Sequence, residues 1–138
     1  MPKLPKDPRR LPSLPVAERD KFPTQKGLYW GIADNEVLYI GMTADPDGFR
    51  DRWKNHDQFP KLAAANARVY FWSLGLSARQ IGELETAAIR RWWPPLNKAK
   101  KSRRFRPSGH PHKLTPRWRE WLWPALAALL ALAIANAR

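Results

Sequence analysis

The sequence contains no cysteine, which rules out disulfides and thiolate metal centres. Acidic residues are scarce: 12 Asp and Glu face 25 Lys and Arg, for a formal net charge of +13 over 138 residues. No acid falls between Glu85 and Glu120. A domain so unbalanced repels itself, and a polyanion is its natural partner. Nucleic acid is the first expectation and an anionic membrane surface the rival. The N-terminus, "MPKLPKDPRRLPSLP", has no apolar stretch of the kind found in a secretory signal, so cytoplasmic residence is expected. A long apolar run is missing too. The richest stretch, 124 to 135, would span about 18 Å as a helix, short of the ~30 Å of a bilayer core. The length suits one modest core, and no internal repeat is visible.

What the chain does have is organised in blocks. Residues 1 to 25 alternate proline with charge, a pattern that removes backbone donors and predicts an extended basic tail or a strap over the surface. The compact domain is expected over residues 26 to 98. "GLYWGIA" and "EVLYIGM" read as strands of a hairpin turned at Asp34-Asn35. Residues 48 to 57 read as a helix with Phe49 and Trp53 facing the core, and 68 to 74 as a third strand. Ser77 is placed to cap a helix that runs to about Trp93, where Pro94-Pro95 stops it. The sum is an α+β domain, a three-stranded antiparallel sheet flanked by helices. Residues 99 to 115 form a basic linker, and 116 to 138 predict an additional C-terminal helix.

Several side chains stand out. A turn at Asp34-Asn35 sets Tyr29 opposite Tyr39 or Ile40, so the two phenols share one face of the sheet. Gly41, with no side chain, admits close approach from a backbone or ligand. Arg52 and His56 are four residues apart and would share a helical face, offering a fork of donors for phosphate beside a proton donor or acceptor. In the next helix Ile81, Leu84, Ala88 and Trp92 mark the buried stripe, with Glu85 on its edge, where a carboxylate is costly unless paired or metal-bound. Glu83, the competing acid, reads as solvent-facing. Asn97 follows the double proline on a turn, where its amide can tie the chain or reach a phosphate.

Taken in order, Gly27-Leu28-Tyr29, Tyr39-Ile40-Gly41 with Thr43, Phe49 with Arg52 and His56, Leu84-Glu85 with Ile89, and Pro95-Leu96-Asn97 resemble the GIY-YIG nuclease superfamily over residues 26 to 98. The resemblance implies hydrolysis of phosphodiester bonds with one divalent metal, Mg2+ or Mn2+, on which Glu85 is the sole protein carboxylate. It implies that Arg52 clamps the scissile phosphate and that Tyr29 or Tyr39, with preference for Tyr29, deprotonates the attacking water. His56 would support the phosphate or the tyrosine, and Asn97 would hold the site together. The implied substrate is DNA rather than RNA. Departures from the family pattern are Leu28, Met42 where relatives often carry a polar or cationic residue, and the insertion "DPDG" with Asp45 and Asp47, which are placed to cap the following helix.

The cations Lys98, Lys100, Lys101, Arg103, Arg104 and Arg106 follow directly on the domain and are expected to contact nucleic acid, with binding that weakens in salt. His110 and His112 flank a proline without a third ligand, which falls short of a zinc site. In the last segment Leu126, Leu129, Leu130 and Ile134 cluster on one side behind Trp118, Trp121 and Trp123. Packing within the chain or against a second copy is expected, with interfacial membrane contact as the alternative. A nucleic-acid-binding module that does not cut is the competing functional reading, and a membrane-surface or self-associating protein the third.

Overall fold

A computed structural model describes residues 1 to 98, 101, 106 to 116 and 128 to 135. It is an α+β fold whose antiparallel sheet has four strands: β1 (Ser13–Pro15), β2 (Gly27–Ala33), β3 (Glu36–Thr43) and β4 (Arg68–Ser73), in the order β1-β4-β2-β3. The expected sheet had three. The fourth strand comes from the proline-rich segment read as a tail. Proline lacks a donor but keeps its carbonyl, and Pro12 uses it to accept from the Phe71 N–H at 2.9 Å, while the Val16 N–H reaches the Ala67 carbonyl at 3.0 Å. Two 3-10 turns, Pro8–Arg10 and Val16–Lys21, flank this strand. Val16 and Phe22 from the same segment are buried in the core.

The β2–β3 hairpin turns at Asp34 and Asn35, both with positive φ (51° and 59°), the left-handed pair that a two-residue hairpin of matching twist requires. Its register differs from expectation by one residue. A bulge between Gly31 and Ile32 pairs Tyr29 with Gly41 and Tyr39 with Gly31. The bulge adds one residue to one side, so every pair beyond it slips while the faces are kept. Each tyrosine therefore lies across a glycine of the other strand, Gly41 or Gly31.

The sheet is covered on both faces. On one, α3 (Ala78–Trp92) buries Ile81, Leu84, Ala88, Ile89 and Trp92 against Leu28, Trp30, Ile32 and Ile40. Ser77 and Gln80 form a reciprocal capping box at its start, and Trp93 ends it in the left-handed conformation, which agrees with the expected boundaries. On the other face, α1 (Gly48–Lys54) and α2 (Phe59–Ala64) bury Phe49, Trp53 and Leu62 against Tyr29, Val69 and Phe71. Helix α2 was not expected, and α1 is shorter than expected: it stops at Lys54, where Asn55 leaves helical geometry. His56 therefore lies in the turn between helices, not on one face with Arg52. Asp47 occupies the N-cap of α1 without a side-chain hydrogen bond, so the capping expected of it is not made. Gly48 supplies what that turn needs, a φ of 65° where a Cβ would strike the Thr24 carbonyl at 2.3 Å.

The open edge of β3 is occupied by later chain. The Leu96 N–H bonds the Leu38 carbonyl at 3.0 Å, and the Val37 N–H bonds the His112 carbonyl at 2.8 Å. Buried Arg9 joins the two ends of the chain here, reaching Asp7, the Asn35 side chain at 2.8 Å and the Thr115 carbonyl at 2.7 Å. Residues 128 to 135 form a helix exposed along its length, with Leu129, Leu130, Leu132 and Ile134 all more than half exposed. Leu126 and the tryptophans before it fall outside the described residues.

Candidate active site

The bulged hairpin sets the two phenols side by side. The Tyr29 and Tyr39 rings stack with centroids 6.2 Å apart. Tyr29 is fully buried and lies so close over Gly41 that a Cβ there would sit 2.3 Å from its hydroxyl oxygen. The glycine is needed for space: the ring occupies the volume any other side chain would take.

His56 closes this group from the α1–α2 turn. Its ring stacks on Trp53, with centroids 4.1 Å apart and planes 14° from parallel, and meets Tyr39 edge-on at 5.2 Å. His56 Nε2 lies 2.8 Å from the Tyr29 hydroxyl, and the Gln58 backbone N–H donates to Nδ1 at 3.1 Å. Burial, with the Arg52 charge adding to it, lowers the His56 pKa to about 4, so the ring is neutral near pH 7. An imidazole that accepts at Nδ1 carries its proton on Nε2. His56 therefore donates to Tyr29, and the 3.5 Å approach of Asp57 to Nδ1 is not an ion pair. With its oxygen accepting from His56, Tyr29 has its own proton to offer Tyr39. The donors run one way, from Gln58 through His56 and Tyr29 towards Tyr39.

Burial raises the pKa of both phenols, that of Tyr29 well above its ordinary value. For Tyr39 the Arg52 guanidinium opposes the rise first, then the hydrogen-bonding Tyr29 hydroxyl; Asp57 and Glu85 add to it. Arg52 is exposed near the end of α1. Glu85 is 8 % exposed on α3, which lies on the other face of the sheet and packs most heavily against β3. Its charge acts on both phenols. Glu83 is exposed and pairs with Arg79 at 3.3 Å, as its position on the helix predicted.

Asn97 has a different place. Its Oδ1 accepts from the Ile40 N–H and its Nδ2 donates to the Ile40 carbonyl, both at 2.8 Å. The amide is engaged at both ends in tying the chain to β3, between Tyr39 and Gly41. Of the expected cations, Lys98 and Arg106 are exposed, whereas Lys101 sits over the Trp93 ring at 5.3 Å with its pKa lowered by burial. Lys100, Arg103 and Arg104 lie outside the described residues. Met42 packs against the α3-side core.

Sequence reasoning missed Asp57 and Gln58. Asp57 is visible only as the neighbour of His56, and the part of Gln58 that matters to His56 is its backbone N–H, which carries no side-chain signature. Among the described residues no three His, Cys, Asp or Glu side chains come together as a ready-made metal cage. A single buried carboxylate is a donor set for a hard cation that keeps most of its waters. His112 bonds Glu36 at 3.0 Å and, with His110, forms no such group. Compared with models of known families, with curated proteins and with solved structures, the chain matches none. No helix among the described residues is long and apolar enough to cross a membrane.

Proposed function

We propose that the chain is a metal-dependent endonuclease of the GIY-YIG type, acting on nucleic acid and on DNA by preference. The observation that carries this reading is the packed group of Tyr29, Tyr39 and His56, on whose phenols the charges of Arg52 and Glu85 both bear. Structural packing alone gives no reason to bring a guanidinium and a carboxylate near one buried and one half-buried phenol.

In this reading Arg52 holds the scissile phosphate, gaining strength as charge builds in the transition state. Glu85 would hold one Mg2+, and that ion, when bound, supplies electrostatic stabilisation of the leaving oxygen. Burial favours Tyr39 over Tyr29 as the base. Tyr39 is half-buried and within reach of solvent, whereas Tyr29 is sealed. Burial keeps the Tyr39 pKa raised; the Arg52 charge opposes that rise most, and the Tyr29 hydroxyl opposes it too. Tyr29 and His56 are positioning residues, and Asn97 fixes the strand that carries Tyr39.

The test compares wild type with Glu85→Ala on plasmid, branched and single-stranded DNA with magnesium. Wild type alone is expected to nick. Equal products from both proteins overturn the reading, and tight binding without cutting by wild type favours the non-cutting module instead.

A further inference from the structure

Beside the phenols is a hollow of about 330 Å³ lined by Tyr39, Asp57, Gln58, Lys61, Pro95, Leu96, Asn97 and Lys98. Its size is at the lower end of ligand-binding cavities, enough for one nucleotide-sized group. Its walls come from three segments, the β3 edge, the start of α2 and the turn after α3. One wall is the Tyr39 side chain, shared with the cleavage site, and Pro95 and Leu96 add apolar surface. Lys61 and Lys98, both exposed, stand where a backbone phosphate on either side would meet a cation. Asp57 and the Gln58 amide supply an acceptor and a mixed donor–acceptor pair for a base edge.

A second observation concerns Gln58, the one residue of this lining with a buried side-chain polar atom that has no partner. Its Oε1 is buried and makes no hydrogen bond, while its backbone N–H is committed to His56. A buried amide oxygen without a partner is costly, so a turn of the side chain that presents it to a donor in the adjoining hollow is favoured. A larger hollow of about 550 Å³, which includes Thr24, Lys26, Asp45 and Ser73 among its lining residues, contains none of the residues of the cleavage site.

We propose that the smaller hollow seats one nucleotide beside the bond to be cut, with the Gln58 amide selecting its base and Lys61 and Lys98 holding its phosphates. This rests on the nucleic-acid reading above and adds a residue that sets specificity. An aromatic wall accepts any base face, so selection falls to the one amide that can pair with a base edge.

The test measures binding of labelled single-stranded dA, dC and dT oligomers of about ten nucleotides, in EDTA so that nothing is cut, by fluorescence anisotropy. Wild type is expected to favour one base by about tenfold, and Gln58→Ala to reduce that preference to about twofold. Gln58→Glu, of the same size, replaces the donor with an acceptor and should change which base is preferred. Lys61→Ala should weaken all three oligomers together and lower the salt slope by about one. No base preference in wild type, or the same preference in both Gln58 variants, overturns the proposal. Magnesium-dependent nicking by a wild type that shows no base preference removes the subsite and leaves the nuclease. Base-selective binding without nicking does the reverse, and no binding at all removes both.

Discussion

The neutral, buried His56 makes acid the most informative perturbation of this fold. In the folded chain its pKa is about 4, against about 6.5 in an unfolded one. As pH falls, the unfolded state takes the proton first. The stability due to the neutral ring is therefore complete above about pH 6.5 and lost as pH drops towards about 4. The full loss is about 3 kcal/mol, of which about 2 kcal/mol falls between about pH 7 and pH 5. For a domain of this size that corresponds to a fall in Tm of about 8 °C. Thermal unfolding of wild type and His56→Gln across this window checks it. The variant is expected to be less stable at neutral pH, because it loses the stacking on Trp53, but flatter in its pH response. The exposed carboxylates and the partly buried His112, whose pKa burial also lowers, are common to both proteins and cancel in the difference. Parallel pH profiles for the two would refute the neutral-tautomer assignment and with it the direction of the donor chain.

Two further outcomes follow from the phenol pair. Gly41→Ala places a Cβ 2.3 Å from the Tyr29 hydroxyl on a ring that His56 and Trp53 hold, and should cost about 2 kcal/mol by overpacking, measured by urea unfolding. It should also reduce nicking, and an unchanged midpoint would mean that the ring is not fixed. Tyr39→Phe should lower the single-turnover nicking rate by about 10²-fold or more, the loss expected for a general base. Tyr29→Phe, which keeps the ring but loses both the acceptor for His56 and the proton offered to Tyr39, should cost less, and the opposite ranking would assign the base to Tyr29.

Much of the fold was legible from local chemistry. The Asp34-Asn35 turn, the Ser77 cap, the Pro94-Pro95 stop and the apolar period of α3 are short-range signals, and each element they predict is present. The N-terminal strand was not legible, because residues 12 to 16 pair through backbone groups, among them the Pro12 carbonyl and the Val16 N–H, that only a partner strand can select. The bulge at Gly31 was hidden for the same reason, since a register is a property of two strands and their packing. For His56, four-residue spacing suggested a helical face; tertiary stacking on Trp53 and the bond to Tyr29 place it beyond the helix end.

The sequence by itself determined that this chain is strongly basic, free of cysteine, and built around a hairpin whose two strands each carry a tyrosine and a glycine. The tertiary structure alone decided that Tyr29 lies across Gly41 and Tyr39 across Gly31, that Tyr29 is sealed while Tyr39 keeps contact with solvent, and that Asn97 serves the backbone of β3. Composition and spacing act along the chain, whereas burial and hydrogen-bond direction depend on residues that meet only when it folds.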